Sequence, residues 1–319
     1  MSVQERKDDS KVNALVVAFD TLQVLGLVLL LALLAPALFS SNIKRTATWF
    51  GMIISVIIYC VSYSILMFIG GQDDPEPSAG VCLFQACLVH STPALSIFCA
   101  LSFVVEMLVY FFRTFRGKTP SRITPIILLA SSSFLSLCVA LEVLVVGLKG
   151  PGAVQRNESH LYCHVTTTAP NLVVCVLSII MSLATMIAEV VVVVVVRKSV
   201  VRLGREPSSL PTHFLVRLFS FSACICLVVG ISVYSLISPP GGGALSAWYI
   251  LLNAVPIGVV VTFGTQKDIL CFYFRRKQNP NVGQQQQQQR TVQLSGEDVS
   301  RNTLLDEMGN SPSSQTISS

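Results

Sequence analysis

Residues 169–196 read APNLVVCVLSIIMSLATMIAEVVVVVVV and close on an unbroken run of valine, Val190–Val196. One ionisable side chain, Glu189, interrupts the stretch, and Arg197 and Lys198 end it. This is too long for a core strand or an ordinary core helix. The hydrocarbon layer of a bilayer, by contrast, needs about 20 consecutive apolar residues in a helix. Valine is a poor helix former in water, but in lipid every backbone N–H and C=O must be satisfied within the segment, so the stretch is helical. Six further blocks of the same kind lie at 13–38, 46–70, 81–112, 123–148, 212–237 and 246–266. None alternates in the ten-residue pattern of a membrane barrel. Composition agrees: 52% of the 319 residues are hydrophobic and 12% charged, against about 25% charged in a soluble chain. The fold expected is an all-α integral membrane protein, a bundle of seven transmembrane helices.

Lysine and arginine set the orientation. One group of connectors holds Lys44 and Arg45; Arg113, Arg116, Lys118 and Arg122; Arg197, Lys198, Arg202, Arg205 and Arg217; and Lys267, Arg275, Arg276 and Lys277. The opposite group holds only Arg6, Lys7, Lys11, Lys149 and Arg156. Positive residues stay cytoplasmic, which places the N-terminus outside. The net charge of +5 therefore marks a membrane face, and no nucleic-acid partner is implied. Residues 1–12 are polar with mixed charge and are followed by an apolar block too long for a signal peptide, so they read as a short extracellular segment before a retained first span. No room is expected there for a folded ligand-binding domain.

Two features mark the outer loops. Asn157-Glu158-Ser159 is a glycosylation acceptor, falling between spans four and five. Of ten cysteines, only Cys82, opening span three, and Cys163, in the second outer loop, sit where oxidation is favoured. Free cysteine otherwise behaves as a small buried hydrophobe. A Cys82–Cys163 bridge pinning the loop over the bundle is expected, with Cys87 as the competing partner.

Seven spans, an outside N-terminus and a cysteine linking span three to the second outer loop resemble the G-protein-coupled receptor superfamily. The end of span seven, Phe263-Gly264-Thr265-Gln266-Lys267-Asp268-Ile269-Leu270, resembles a signature of fungal seven-transmembrane receptor-like proteins. The resemblance covers about residues 13–277. Rhodopsin-class motifs are not matched. The end of span three is Leu108-Val109-Tyr110-Phe111-Phe112-Arg113, span six has no proline, and Asn253-Ala254-Val255-Pro256 lacks the following tyrosine. Span seven has no internal lysine for a retinal Schiff base.

Four carboxylates fall inside the spans: Asp20, Glu106, Glu142 and Glu189. A charged side chain in hydrocarbon costs about 2.5–3.5 kcal/mol on insertion scales and faces the bundle or water. Structural hydrogen bonding between helices accounts for all four on one reading. On the sharper reading the outer pair, Asp20 and Glu142, lines a ligand pocket, and the inner pair, Glu106 and Glu189, belongs to a conformational switch. Gln85, His90, Trp248, Tyr249 and Asn253 complete the expected pocket, a mostly apolar site with a few orienting groups. Pro93 and Pro256 are expected kinks, as hinges or as static bends. No phosphate loop, His-Glu-x-x-His, Cys-x-x-Cys or Gly-x-Ser-x-Gly element is present, so no enzyme, cofactor or metal site is expected.

On the cytoplasmic side, Thr265-Gln266-Lys267-Asp268 fits a capping-box start. The apolar residues and three cations that follow read as an amphipathic juxtamembrane helix over 267–277, with Cys271 a palmitoylation candidate. From residue 278 the chain turns polar, with a glutamine tract at Gln284–Gln289, and reads as a disordered cytoplasmic tail over 278–319. Ten serines and threonines after Arg290 are candidate phosphorylation sites.

The function expected is a plasma-membrane receptor that senses an unknown extracellular ligand and signals through a heterotrimeric G protein. Its inner contact is expected at Arg113, Phe115, Arg116, Arg202 and Arg205. The alternative is a transporter or channel using the intramembrane carboxylates.

Overall fold

The computed structural model describes residues 3–40, 45–72, 77–117, 119, 121–150, 152–157, 161–202, 212–237 and 244–274. For 3–13, 199–202, 212–218, 244–250, Phe115, Leu252, Lys267, Asp268 and Phe274 it describes the backbone alone. Every apolar block is helical: α1 (Val3–Phe39), α2 (Ala47–Tyr63), α3 (Ile65–Ile69), α4 (Ala79–Phe115), α5 (Ile123–Lys149), α6 (Thr168–Arg202), α7 (Thr212–Ile237) and α8 (Ala244–Gly264), followed by α9 (Lys267–Phe274). Five of them, α1, α4, α5, α6 and α7, contain stretches long and apolar enough to cross a membrane. Ala47–Tyr63 and Asn253–Gly264 are shorter apolar helices. The protein is a helical, multi-pass membrane protein.

The block expected to run unbroken over 46–70 is interrupted at Ser64. Its hydroxyl donates to Cys60 O at 3.0 Å and its N–H bonds Cys60 O and Val61 O at 3.2 and 3.1 Å. A side chain competing for the carbonyl four residues back bends or ends a helix. α3 then stops at Gly70, whose φ of +67° suits glycine alone, and Gly71 N closes the turn onto Leu66 O at 2.8 Å. By contrast, α4 runs continuously through Pro93. Proline there deprives Val89 O of its helical donor, and the Tyr63 hydroxyl donates to that oxygen instead, at 3.5 Å.

Six helices form a closed ring: α1 packs on α2, α2 on α4, α4 on α6, α6 on α7, α7 on α8, and α8 back on α1. α5 lies against α4, flanked by α2 and α6. Buried polar groups join the pairs. Gln23 of α1 donates to Asn253 of α8 at 2.5 Å. The Ser102 and Ser132 hydroxyls meet at 2.9 Å and Ser136 donates to Ser91 O at 3.1 Å, tying α4 to α5. Small residues let backbones approach: a Cβ built on Gly26 would lie 2.9 Å from Pro256 Cβ.

Polarity is inverted relative to a soluble bundle. On α6 the exposed side chains are Leu172, Val176, Ile180, Leu183, Ile187, Val190 and Val194, an apolar stripe at helical spacing. Ser178, Ser182, Thr185 and Glu189 of the same helix are buried. Such a surface faces lipid rather than water.

Between α5 and α6 the chain forms an antiparallel hairpin of β1 (Val154–Arg156) and β2 (Cys163–Val165), with Arg156 opposite Cys163. The all-α expectation is corrected by this one pair. The Cys82–Cys163 disulfide is formed, and Cys87 is a free thiol. α9 begins at Lys267, and the Thr265 hydroxyl donates back to Val261 O at 3.0 Å. The chain divides at Ile269, with Leu270 opening a second unit. Within it Leu270, Cys271, Phe272 and Tyr273 are all exposed. Residues 275–277, the glutamine tract and the tail lie outside the described residues.

Candidate functional site

Inside the ring lies a cavity of about 90 Å³. α2 contributes Met52, Val56 and Tyr59 to its wall, and α4 contributes Ser96 and Ala100. Ser182 and Thr185 come from α6, Phe221, Cys224 and Val228 from α7, and Val255 and Val259 from α8. Five helices therefore converge on it, and movement of any one would change its volume.

Aromatic clusters lie on both sides of this cavity along the bundle. Towards the hairpin, Tyr59 meets Tyr63 with centroids 4.8 Å apart, and Tyr63 meets Tyr162 at 5.3 Å. Phe19 of α1 stacks on Tyr162 at 6.4 Å. Tyr162 is 4% exposed and Leu161 1%, so the segment leading into β2 is driven into the mouth of the ring. At the other end Phe221 meets Phe263 at 6.1 Å, and Phe263 meets Phe103 at 5.6 Å, each edge to face.

The expected pocket residues do not gather here. None of those with described side chains lines the cavity. Asp20 is half-buried on α1 and accepts from Gln72 Nε2 at 3.1 Å. Arg156 donates to the carbonyls of Gly71 and Gln72, each at 3.3 Å, so Asp20 belongs to a chain of contacts that anchors the hairpin. Gln85 is fully buried and works as a latch. Its Nε2 donates to Ser62 O at 3.2 Å and its Oε1 accepts from Cys163 N at 2.9 Å. His90 is buried near His164 of β2, and its Nε2 has no hydrogen-bond partner in the protein. Glu142 is half-buried on α5, outside the ring. Asn253 is engaged by Gln23. The side chains of Trp248 and Tyr249 lie outside the described residues.

The inner carboxylates do bridge helices. Glu189 of α6 accepts from the Ser222 hydroxyl of α7. Glu106 of α4 accepts from the Thr48 hydroxyl of α2, so it ties α4 to α2. A carboxylate in the interior is tolerable only with such a partner. Thr48→Val and Ser222→Ala should therefore each lower stability by about 1–3 kcal/mol, with Thr48→Ser much milder. Thermal unfolding of the solubilised protein checks this, and a Thr48→Val protein as stable as wild type would refute the pairing.

Arg113 and Arg116 flank a second, open concavity with Val109, Phe112, Gly117 and Thr119, and Arg113 donates to Thr119 O at 3.4 Å. The side chains of Phe115 and Arg202, and all of Arg205, lie outside the described residues. Asn157 sits at the hairpin turn, its N–H donating to Tyr162 O at 2.9 Å.

No protein-family model matches the chain, and no curated protein matches it. The cavity wall itself was not marked in the sequence. Tyr59 and Ser96 are single polar residues in apolar runs, and only helix rotation separates them from lipid-facing neighbours.

Proposed function

We propose that the protein is a seven-span membrane receptor of the G-protein-coupled type. All seven apolar stretches cross the bilayer, α2 and α3 together forming one broken span. The N-terminus and the hairpin face outward at the plasma membrane, and the C-terminal tail faces the cytoplasm. Ligand occupancy shifts the helix ring between two states, and the inner loops with α9 engage a heterotrimeric G protein.

The observation that carries this reading is the cavity bounded by five helices, with aromatic clusters on both sides and no carboxylate in its described wall. A carboxylate-coupled transporter would thread Glu142, Glu106 and Glu189 along one path. Instead Glu106 and Glu189 are each engaged by a hydroxyl on a neighbouring helix, and Glu142 stands on α5. Paired contacts that can break and re-form suit a two-state bundle, since a ligand shifts populations only through differential contacts with the two states.

Two measurements test it. Asn157 should carry glycan while a C-terminal reporter is cytoplasmic; the reverse arrangement would overturn the orientation. Phe115→Ala should abolish stimulation of nucleotide exchange on a co-expressed G protein without lowering surface level, because an apolar anchor between Arg113 and Arg116 has the composition of an interface hot spot. Full coupling in that variant would remove the interface from this loop.

A further inference from the structure

The connector from α4 to α5 carries charge of one sign. Between Glu106 and Glu142 stand Arg113, Arg116, Lys118 and Arg122, and no carboxylate. Sidedness alone accounts for cations on this face, but not for the concavity that two of them form. Arg113 and Arg116, one turn apart at the end of α4, flank an open space of about 660 Å³, a size typical of ligand sites. Val109 and Phe112 line it on the bundle side, Gly117 and Thr119 on the loop side. Gly117, with a φ of +64°, turns the chain sharply after Arg116 and so brings the Thr119 carbonyl back to α4. There Arg113, half-buried, donates to it at 3.4 Å. That bond holds the guanidinium in place and leaves most of its five donors for a ligand.

Depth selects where the ligand comes from. Tyr110 and Phe112 on α4 and Ile123, Ile126 and Ile127 on α5 are exposed, an apolar surface of the kind that faces lipid. The two helices are packed neighbours joined by this loop. Hydrocarbon therefore reaches the last turn of one and the first turn of the other, and the arginines stand just beyond it, at the level of the headgroups. A lipid phosphate seated there runs its glycerol and the start of an acyl chain along Val109 and Phe112. A free phosphate would leave that half of the wall unused.

Charge selects the headgroup. Choline, ethanolamine and serine headgroups each bring an ammonium, which finds no carboxylate in the described wall. A phosphomonoester carries about −1.5 to −2 charge at neutral pH and matches two guanidiniums, each able to grip two oxygens in a fork. The end of the helix opposes an anion with only about half an elementary charge, against two full ones.

We propose that this concavity binds the phosphomonoester headgroup of an anionic phospholipid, of the phosphatidic acid or phosphoinositide class, through Arg113 and Arg116. The proposal rests on the receptor reading only for the leaflet, the cytoplasmic one, whose anionic lipids basic pockets of this kind recognise.

The full chain in mild detergent would be titrated with phosphatidic acid, phosphatidylserine or phosphatidylcholine of matched chains, and the first bound lipid read by native mass spectrometry. Phosphatidic acid should bind about tenfold more tightly than the other two, as expected of charge-assisted hydrogen bonds without an opposing ammonium. Arg116 is exposed, so Arg116→Gln tests the site without disturbing the fold, and it should weaken phosphatidic acid by about tenfold. Arg113→Gln combined with Arg116→Gln should remove the preference over phosphatidylcholine. Arg197→Gln with Lys198→Gln, which takes the same charge from the exposed end of α6, should leave it unchanged. Glycerol 3-phosphate, the same headgroup without chains, should not displace the lipid. Equal retention of the three lipids, or equal loss in the two double variants, would overturn the proposal. Displacement by glycerol 3-phosphate at equal concentration would mark a soluble-anion site and overturn it too. Because binding in detergent is free of membrane sidedness, a reversed orientation or absent G-protein coupling would sink the receptor reading and leave this site standing.

Discussion

Cys82→Ser is expected to destabilise the protein by about 4 kcal/mol, the largest effect of any single substitution considered. The bridge closes a loop with a sequence separation of 81. The entropy it removes from the unfolded chain, about 3 kcal/mol for a 15-residue loop and about 4.7 for 100, grows slowly with loop length. Cys163→Ser should match it, and the double variant should cost little more than either single one, since both remove one constraint. Thermal unfolding under non-reducing conditions, with surface delivery as the cellular readout, checks the pair. Cys163 recovered as an alkylated free thiol from correctly folded protein would refute the bridge.

Gln85→Ala should come close, at about 3–4 kcal/mol. Gln85 is fully buried, so truncation leaves a cavity. It also strands the Cys163 N–H that Oε1 now satisfies, in a setting where an unmet donor costs about 1–3 kcal/mol. Gln85→Glu keeps the acceptor and loses the donor to Ser62 O, so it should fall between wild type and alanine. Because Gln85 and the disulfide hold the same strand, Gln85→Ala combined with Cys82→Ser should cost less than the sum. A strictly additive double variant would mean that the latch and the bridge stabilise different parts of the molecule.

The two residues also show where sequence reasoning reached and where it stopped. Helix positions were legible because the bilayer imposes a minimum apolar length, which no turn or loop imitates; α6 starts one residue before the 169–196 stretch and ends six residues after it. The disulfide was legible because sidedness left two cysteines where oxidation is favoured. Rotation was not. Val259 is buried and Val261 is 52% exposed, and nothing in a run of valines distinguishes them. Lipid-facing and core-facing positions are both apolar, so the contrast that marks the inner face of a soluble helix is missing. For the same reason neither the contacts of Gln85 with Ser62 and Cys163 nor the place of Tyr59 in the cavity wall was legible. The hairpin escaped notice because three-residue strands are too short to show alternation. The contact of Glu106 with Thr48 depends on the packing order of the ring, which no local pattern records.

The bond between Gln23 and Asn253 has a consequence for how the molecule is made. Its two residues are 230 positions apart, and α1 closes the ring against α8, which is synthesised after every other member of the ring. At a synthesis rate of roughly 5–20 residues per second, Gln23 enters the membrane some tens of seconds before its partner exists. Throughout that interval a polar amide and the bare flank at Gly26 stand open to lipid, with only α2 at hand. The nascent chain is therefore a half-open ring with a sticky edge, the state in which a membrane chaperone or a second unfinished copy would find a place to bind. Folding of this protein is completed at its first helix, by the arrival of its eighth.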